Sequence, residues 1–193
     1  MSLQDALARE FATAFEAVRG VVHLVPTRAT AAEAIVRILK EAGITSAAAA
    51  ALPEGLQEAL VAGCGAAGIA LMQPPYLAAD LPLSMDGPEA GITGMAFGVA
   101  ESGTMAEVCD EDSVRLVSGL PRTHIGVVFA STLVPRLVDA AAPMRAIFQQ
   151  YPKNVTVSFI SGPSRTGDIE LILTLGVHGP EYAHAVVITE EQA

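Results

Sequence analysis

The sequence contains 193 residues, of which 51% are hydrophobic and 17% are charged. A chain of this length can form one domain with a sizeable core, and so apolar a composition argues against intrinsic disorder. Eleven basic and 21 acidic residues give a formal net charge of −10. Because of this charge, we expect neither nucleic acid nor an anionic membrane as a partner. A small anion can still bind where a few basic groups and backbone N–H groups converge.

The two cysteines, Cys64 and Cys109, form no Cys-x-x-Cys motif. The chain therefore lacks the ligands for a four-cysteine zinc site or an iron–sulfur cluster of its own. No basic segment followed by an apolar segment indicates secretion, and the most apolar stretch, residues 44–52, is too short to span a bilayer. We therefore expect a cytoplasmic location, in which the two cysteines form no disulfide.

The first half of the chain alternates helical and strand patterns. Residues 3–18 carry apolar side chains at helical spacing, and residues 21–25 form a β-branched run. Thr30 and Glu33 fit a capping box at the start of the next helix. The predicted order is helix 3–18, strand 21–25, helix from Thr30 to about Ala42, strand 44–52, helix from Pro53 to about residue 65, and strand 68–73.

This alternating order predicts a parallel sheet with helices packed on its faces. The alanine content of residues 44–52 would equally suit a helix. Residues 74–93 contain four prolines and little periodicity, so we expect a loop that covers a functional site. The predicted fold class is α/β, with an open, mostly parallel sheet flanked by helices.

The second half changes character. Residues 97–100 and 104–108 resemble two strands of a hairpin that are joined by a tight turn at Glu101 to Gly103. Further strands are predicted at 124–129, 155–160, 169–177 and 184–188, and helices at 132–141 and 144–150.

Glu101 stands at the end of a predicted strand, beside a glycine that would let a substrate approach the backbone. A carboxylate in such a place suits a nucleophile or a general acid or base. Acidic residues are also common in solvated turns, so the sequence alone leaves both interpretations open.

His124 begins a predicted strand. It is a candidate proton shuttle because a histidine titrates near neutral pH, but a hydrogen-bonded structural role is the alternative. The spacing of His124, His178 and His184 with Asp168 or Glu170 matches no zinc signature, so no metal site is predicted.

The richest polar segment runs from Ser161 to Glu170, directly after an apolar strand. The carboxyl end of a strand in an α/β sheet is a common ligand site. We expect Ser164, Arg165 and Thr166 to hold an anion through backbone N–H groups and the guanidinium group. A turn that only caps the next element is the alternative interpretation.

Several polar motifs occur in an order that resembles the LUD domain, the family of lactate-utilization protein C. The motifs are Gly91-Ile-Thr-Gly94, Ala100-Glu101-Ser102-Gly103-Thr104, Leu120-Pro121-Arg-Thr123-His124-Ile125, Gly162-Pro163-Ser164-Arg165-Thr166-Gly-Asp168-Ile169-Glu170, and Leu175-Gly176-Val177-His178-Gly179-Pro180. The resemblance covers residues 90–188, whereas residues 1–90 match only in their helix and strand order. Ser102 stands where the family commonly has threonine. We therefore predict one LUD-like domain over residues 1–193.

The resemblance implies an open fold of the NagB/RpiA/CoA-transferase-like type. It also implies a component of a three-protein system that oxidises L-lactate to pyruvate, in which the other two proteins carry iron–sulfur clusters. This chain would be the cluster-free member. It would bind a small carboxylate or phosphate ligand, or an iron–sulfur partner protein.

An enzyme is the alternative. In CoA transferases of this fold class a glutamate beside a glycine attacks the acyl group, and residues 100–103 look similar to that arrangement. Glu101 would then act as the nucleophile or base on a small acid, a CoA ester or a sugar phosphate.

We expect the polar residues to converge on one concave site without a cofactor or a metal. The candidate catalytic residues are Glu101, His124 and Asp168. The candidate ligand-binding residues are Thr93, Gly103, Thr104, Gly162, Ser164, Arg165, Thr166, Glu170 and His178.

Overall fold

The computed structural model describes residues 2–77, 79–151, 153–167, 173–191 and 193. The helices are α1 (Leu3–Ala17), α2 (Arg28–Glu41), α3 (Leu56–Ala67), α4 (Asp112–Gly119) and α5 (Ala141–Gln150). The strands are β1 (Val21–Val25), β2 (Ser46–Ala50), β3 (Ala70–Met72), β4 (Ala90–Gly94), β5 (Phe97–Val99), β6 (Thr104–Cys109), β7 (Thr123–Phe129), β8 (Leu133–Val134), β9 (Thr156–Ile160), β10 (Arg165–Gly167), β11 (Leu173–Leu175) and β12 (Tyr182–Ile188). Short 3-10 turns occupy Leu83–Asp86, Ala130–Thr132 and Leu137–Ala140.

The main sheet has six strands in the order β1-β12-β7-β4-β2-β3, and every neighbouring pair is parallel. Helices α2 and α3 cover one face, where Ile35, Leu39 and Leu60 are fully buried. This architecture confirms the predicted α/β fold class. None of the helices in the described segments is long and apolar enough to cross a membrane.

A second sheet, in the order β8-β5-β6-β9, packs on the other face of the main sheet. Met105 of β6 lies over Gly126 of β7, where a Cβ atom would come within 2.6 Å of the methionine sulfur. Helix α1 covers the β1 and β12 side of this face, α4 covers β2 and β4, and α5 packs on the outside of the second sheet. Strand β6 pairs antiparallel with β5 and β9. The prediction of a parallel sheet therefore did not include this second layer.

Most of the predicted elements are confirmed. They include the helix at 3–18, the hairpin of 97–108 and the strands at 21–25, 124–129, 155–160 and 184–188. Cys64 and Cys109 are both free and buried, and they lie in separate core clusters.

Some predicted boundaries were wrong. Helix α2 begins after Thr27, whose hydroxyl accepts from the Thr30 backbone, so the capping box lies three residues before the predicted one. Helix α3 begins after Gly55 and not at Pro53. Residues 130–140 form 3-10 turns and β8 in place of a helix, and α4 was not predicted.

The largest error concerns β4, a central strand that begins inside the predicted loop 74–93. Gly91 and Gly94 made this segment look like a turn. In the fold they let two backbones approach the sheet, because a Cβ at Gly91 would lie 1.7 Å from the Val117 carbonyl oxygen. A Cβ at Gly94 would lie 2.0 Å from the Ala51 carbonyl oxygen. Helix α4 can therefore pack directly on β4.

We expect Gly91→Ala to lower the free energy of unfolding by at least about 1–3 kcal/mol, because α4 must move away from β4. Gly65→Ala is the matched control, since Gly65 lies inside α3 with open space around it. That change should stabilise the fold by about 0.5–1 kcal/mol. Urea denaturation measures both effects, and a Gly91→Ala protein as stable as the wild type would contradict this packing.

Candidate functional site

A cleft of about 420 Å³ opens at the amino ends of β7 and β12. Its walls are the end of α4, the second half of β9 and the turns that follow β9 and precede β12. Four serine hydroxyls, two histidines and one arginine supply its polar surface. The lining residues are Arg115, Ser118, Gly119, His124, Ser158, Phe159, Ile160, Ser161, Gly162, Pro163, Ser164, His178, Gly179, Pro180 and Ala183.

Two turns are tied together to form one wall of this cleft. The Ser164 N–H donates to the Pro180 carbonyl at 2.8 Å, and the Gly176 N–H donates to the Ser164 carbonyl at 3.0 Å. Gly162 adopts a φ of +81°, which favours glycine, and it packs against Val18 at the end of α1. The position of the Ser161 to Ser164 turn is therefore fixed by α1 on one side and by the turn before β12 on the other.

His124 lies at the inner end of the cleft and is only 1% exposed. Its Nε2 is 2.9 Å from the Thr93 hydroxyl on the neighbouring strand β4. Burial, with a smaller contribution from His184, lowers the pKa of His124 to about 4. The ring is therefore neutral at physiological pH, with one nitrogen that donates and one that accepts.

Behind the cleft lies a buried acid, Glu107 of β6, which is 0% exposed. Its Oε2 accepts hydrogen bonds from the Ser118 hydroxyl at 2.9 Å and the Cys109 thiol at 3.3 Å. Its Oε1 is buried without a hydrogen-bonding partner in the described part of the chain. Burial raises the pKa of Glu107, and the Ser118 and Thr93 hydroxyls and the Cys109 thiol oppose this rise.

Cys109 is a hydrogen-bond donor in this cluster and not a nucleophile. Burial and the adjacent Glu107 raise the pKa of its thiol to about 12. The thiol therefore stays protonated at neutral pH and keeps its contact with the carboxyl.

The structure brings several of the predicted residues to one place. His124, Gly162, Ser164 and His178 line the cleft. Thr93 contacts His124, and the Thr104 hydroxyl lies 2.7 Å from that of Ser161 in the cleft wall.

The other predicted residues lie elsewhere. The exposed Glu101 accepts from the Leu137 N–H at 2.6 Å, in the turn between β5 and β6. Gly103, with a φ of +57°, packs on the α1 backbone. Arg165 and Thr166 belong to β10, which pairs with β11, and neither lines the cleft. Asp168 and Glu170 lie outside the described residues.

The structure differs from the anion-binding turn expected at Ser164, Arg165 and Thr166. Residues 165–167 form a strand and not an open turn, and the Ser164 N–H is already bonded to Pro180. Arg115 is the arginine that lines the cleft, and it forms an ion pair with Asp112 one helical turn away. Arg115 was not predicted as a site residue because α4 itself was not predicted.

Glu107 was also not predicted as a site residue, although the sequence of β6 contains a signal for it. In β6, Met105, Glu107 and Cys109 alternate with Ala106 and Val108. Met105 and Cys109 face the main sheet, so an acid between them must also face the interior. A charged residue on the buried face of a strand marks a polar network.

Nothing in the described segments groups three or more His, Cys, Asp or Glu side chains as a metal site would. His124 shares its face of the main sheet with Ala183, whereas His184 lies on the opposite face. His184 instead contacts His23 of β1, with 3.2 Å between Nδ1 and Nε2.

The model of the LUD domain matches residues 8–188. This chain belongs to the LUD domain family. The family match confirms the resemblance seen in residues 90–188 and extends it over residues 8–89, which the motifs did not cover.

The relatives of this LUD domain include proteins named lactate utilization protein C. The protein of Macrococcus caseolyticus is 41% identical over 102 residues, which are 52% of this chain and 44% of that protein. That of Geobacillus kaustophilus is 40% identical over 114 residues, 55% of this chain and 46% of that protein. That of Bacillus subtilis is 39% identical over 104 residues, which are 52% of this chain and 42% of that protein. The matches thus span less than half the length of each relative.

A solved structure shares the whole fold. The crystal structure of a DUF162 family protein from Deinococcus radiodurans, at 1.70 Å resolution, superposes with a TM-score of 0.65. The superposition covers 97% of this chain and 99% of that chain, at 20% sequence identity. It supports the α/β fold described above.

The buried neutral state of His124 predicts a pH dependence of stability. An unfolded histidine takes up a proton near pH 6.5, whereas His124 does so only near pH 4. The free energy of unfolding should therefore fall as the pH is lowered between these values. About 3 kcal/mol is expected from this one residue, at 1.36 kcal/mol per pH unit.

His124→Gln removes this contribution, so the stability of the variant should fall less steeply between pH 6.5 and 4. His184, whose pKa burial also lowers to about 4, and Glu107 remain in both proteins, so their effects cancel in the comparison. Urea denaturation at several pH values provides the two slopes. Identical slopes would show that His124 is not held neutral by burial.

Proposed function

We propose that this chain is a component of a lactate-utilization system and binds a small carboxylate in the cleft between α4 and the turn after β9. The observation that carries the proposal is the identity of about 40% to proteins named lactate utilization protein C. The cleft is the place in the described structure where several of the LUD motif residues meet.

The size and chemistry of the cleft support a small anionic ligand. Its volume of about 420 Å³ lies within the range of small-molecule sites. The hydroxyls of Ser161 and Ser164 can donate to carboxylate oxygens, and the half-exposed Arg115 adds a charged donor. In a chain of net charge −10, such local donors are what an anion needs.

Electron transfer would belong to partner proteins. Oxidation of lactate to pyruvate releases two electrons and two protons, which need an acceptor. Cys64 packs with α2 and α3 on one face of the main sheet, and Cys109 packs with α4 on the other. The two thiols cannot share a cluster, so the proposed role of this chain is to hold the carboxylate for partners that carry iron–sulfur clusters.

Isothermal titration calorimetry with L-lactate, pyruvate and phosphate tests the proposed site. Arg115→Ala should weaken the binding of the preferred carboxylate about tenfold to a hundredfold, the usual effect of losing a charged hydrogen bond. Arg145→Ala, an exposed change on α5 outside the cleft lining, is the matched control and should leave the affinity unchanged.

Arg165→Ala separates the cleft from the anion site predicted at residues 164–166. If Arg165→Ala weakens binding and Arg115→Ala does not, the anion is held at β10 and not in the cleft. If neither lactate nor pyruvate binds to the wild-type protein, the carboxylate proposal fails.

A further inference from the structure

A single hydroxyl separates the proposed anion cleft from a buried acid. Ser118 lines the cleft, and its hydroxyl donates to Glu107 Oε2 at 2.9 Å. Glu107 itself is 0% exposed. We propose that an anion enters the cleft together with a proton, which neutralises Glu107 and turns the Ser118 hydroxyl from the carboxyl to the ligand. The inference rests on the proposed function, because it concerns an anion in the same cleft.

A negative charge on Glu107 is poorly compensated. None of the ion pairs in the described segments includes this residue. Its Oε2 accepts from the Ser118 hydroxyl and the Cys109 thiol, which are both neutral donors, and its Oε1 has no hydrogen-bonding partner among the described residues. A further negative charge close to this carboxyl therefore favours its protonated form.

An anion in the cleft supplies that further charge. A ligand oxygen that is hydrogen-bonded to Ser118 lies no more than about 6 Å from Glu107 Oε2. At about 6 Å and an effective dielectric constant of about 20, the repulsion between two negative charges weakens binding roughly a hundredfold. Protonation of Glu107 removes this repulsion.

A proton on Glu107 also changes what Ser118 offers to the cleft. While the acid is ionised, the Ser118 hydroxyl donates to Oε2, so its proton is not available to a ligand. A protonated Oε2 donates to the Ser118 oxygen instead and releases the Ser118 proton. The other acceptor of this hydroxyl in the described chain is the Arg115 carbonyl, at the longer distance of 3.2 Å. A charged ligand oxygen is the stronger acceptor, so the hydroxyl turns to the ligand.

Glu107 is the group next to Ser118 that can change its charge near neutral pH. The pKa of the Cys109 thiol on the same strand is about 12 and that of His124 on β7 is about 4, so both stay neutral between pH 5.5 and 9. Arg115 on α4 stays charged throughout. The described strands β4, β5 and β9 contribute no titratable side chain. His178, in the turn before β12, also lines the cleft and therefore needs its own control.

This coupling predicts an affinity for anions that falls as the pH rises. Burial raises the pKa of Glu107. Below this pKa the acid is already neutral, and the affinity is constant. Above it, each bound anion takes up one proton from solvent, so the affinity falls by up to tenfold for each pH unit.

Calorimetry with pyruvate in buffers of different ionisation enthalpy counts the protons taken up between pH 5.5 and 9, where pyruvate itself stays ionised. The wild type should take up as much as one proton per ligand at the upper end of this range. Glu107→Gln should take up none and should bind pyruvate at pH 9 at least tenfold more tightly than the wild type, because the neutral amide mimics the protonated acid. The loss of a merely structural residue would not tighten binding.

Three further variants test the parts of the proposal. Ser118→Ala should bind pyruvate about tenfold more weakly than the wild type at pH 5.5, where the hydroxyl donates to the ligand. An affinity equal to that of the wild type would contradict the turn of this hydroxyl. His178→Gln should keep the proton uptake. Glu111→Gln, at an exposed acid just before α4, is the matched control and should behave as the wild type.

Pyruvate binding without proton uptake, or an uptake that disappears in His178→Gln, overturns the inference and leaves the carboxylate function intact. The wild type and His178→Gln decide this outcome even if Glu107→Gln fails to fold. Sulfate, which stays doubly charged over this pH range, separates the two proposals. If sulfate binds with proton uptake and neither pyruvate nor L-lactate binds, the role of Glu107 stands and the carboxylate function falls. If none of the three anions binds, both proposals fall.

Discussion

The carboxyl group of Glu107, enclosed between two β-sheets, is the constraint on which the geometry of the site depends. Taking a carboxyl group out of water costs several kcal/mol unless hydrogen bonds compensate it. Here the Ser118 hydroxyl of α4 and the Cys109 thiol of β6 both donate to Oε2. Helix α4 and strand β6 must therefore keep their places relative to the carboxyl, because breaking a hydrogen bond to a buried polar group is costly.

Close backbone packing makes that arrangement possible. Gly91 lets α4 lie directly on β4, and Gly126 accepts Met105 from the second sheet. The second sheet and the turns around it then overhang the amino ends of β7 and β12. Ligands of α/β sheets usually bind at the carboxyl ends of the strands, so the position of this cleft departs from the common rule. It arises from the added layer and not from the parallel sheet itself.

The sequence was informative where one local pattern determines the structure. The apolar spacing of residues 3–18 and the β-branched runs at 21–25 and 124–129 predicted α1, β1 and β7. His124 and Ser164, two of the candidate site residues, line the same cleft. The carboxyl-end rule was applied to the strand before Ser161, but β9 belongs to the antiparallel layer, so the rule does not explain why Ser164 lies in the cleft.

The features that were missed depend on contacts between distant segments. Gly91 and Gly94 favour a turn in isolation, and only the approach of other backbones shows why a strand needs glycine there. Glu107 becomes conspicuous only when Met105 and Cys109 are known to face the main sheet. Arg115 joins the site because α4 ends beside β7, which no local spacing reveals. Asp168 and Glu170 lie outside the described residues and remain predictions from the motif.

The most direct test of the cleft as a carboxylate site is a map of backbone amide chemical shifts during titration with pyruvate. The shifts should change at Ser118, Gly119, Ser161 and Gly162 and at residues 178–179, which line the cleft from three separate segments. Changes centred on the groove between α2 and α3, around Val36 and Gly63, would contradict this assignment, as would a spectrum that does not respond to pyruvate.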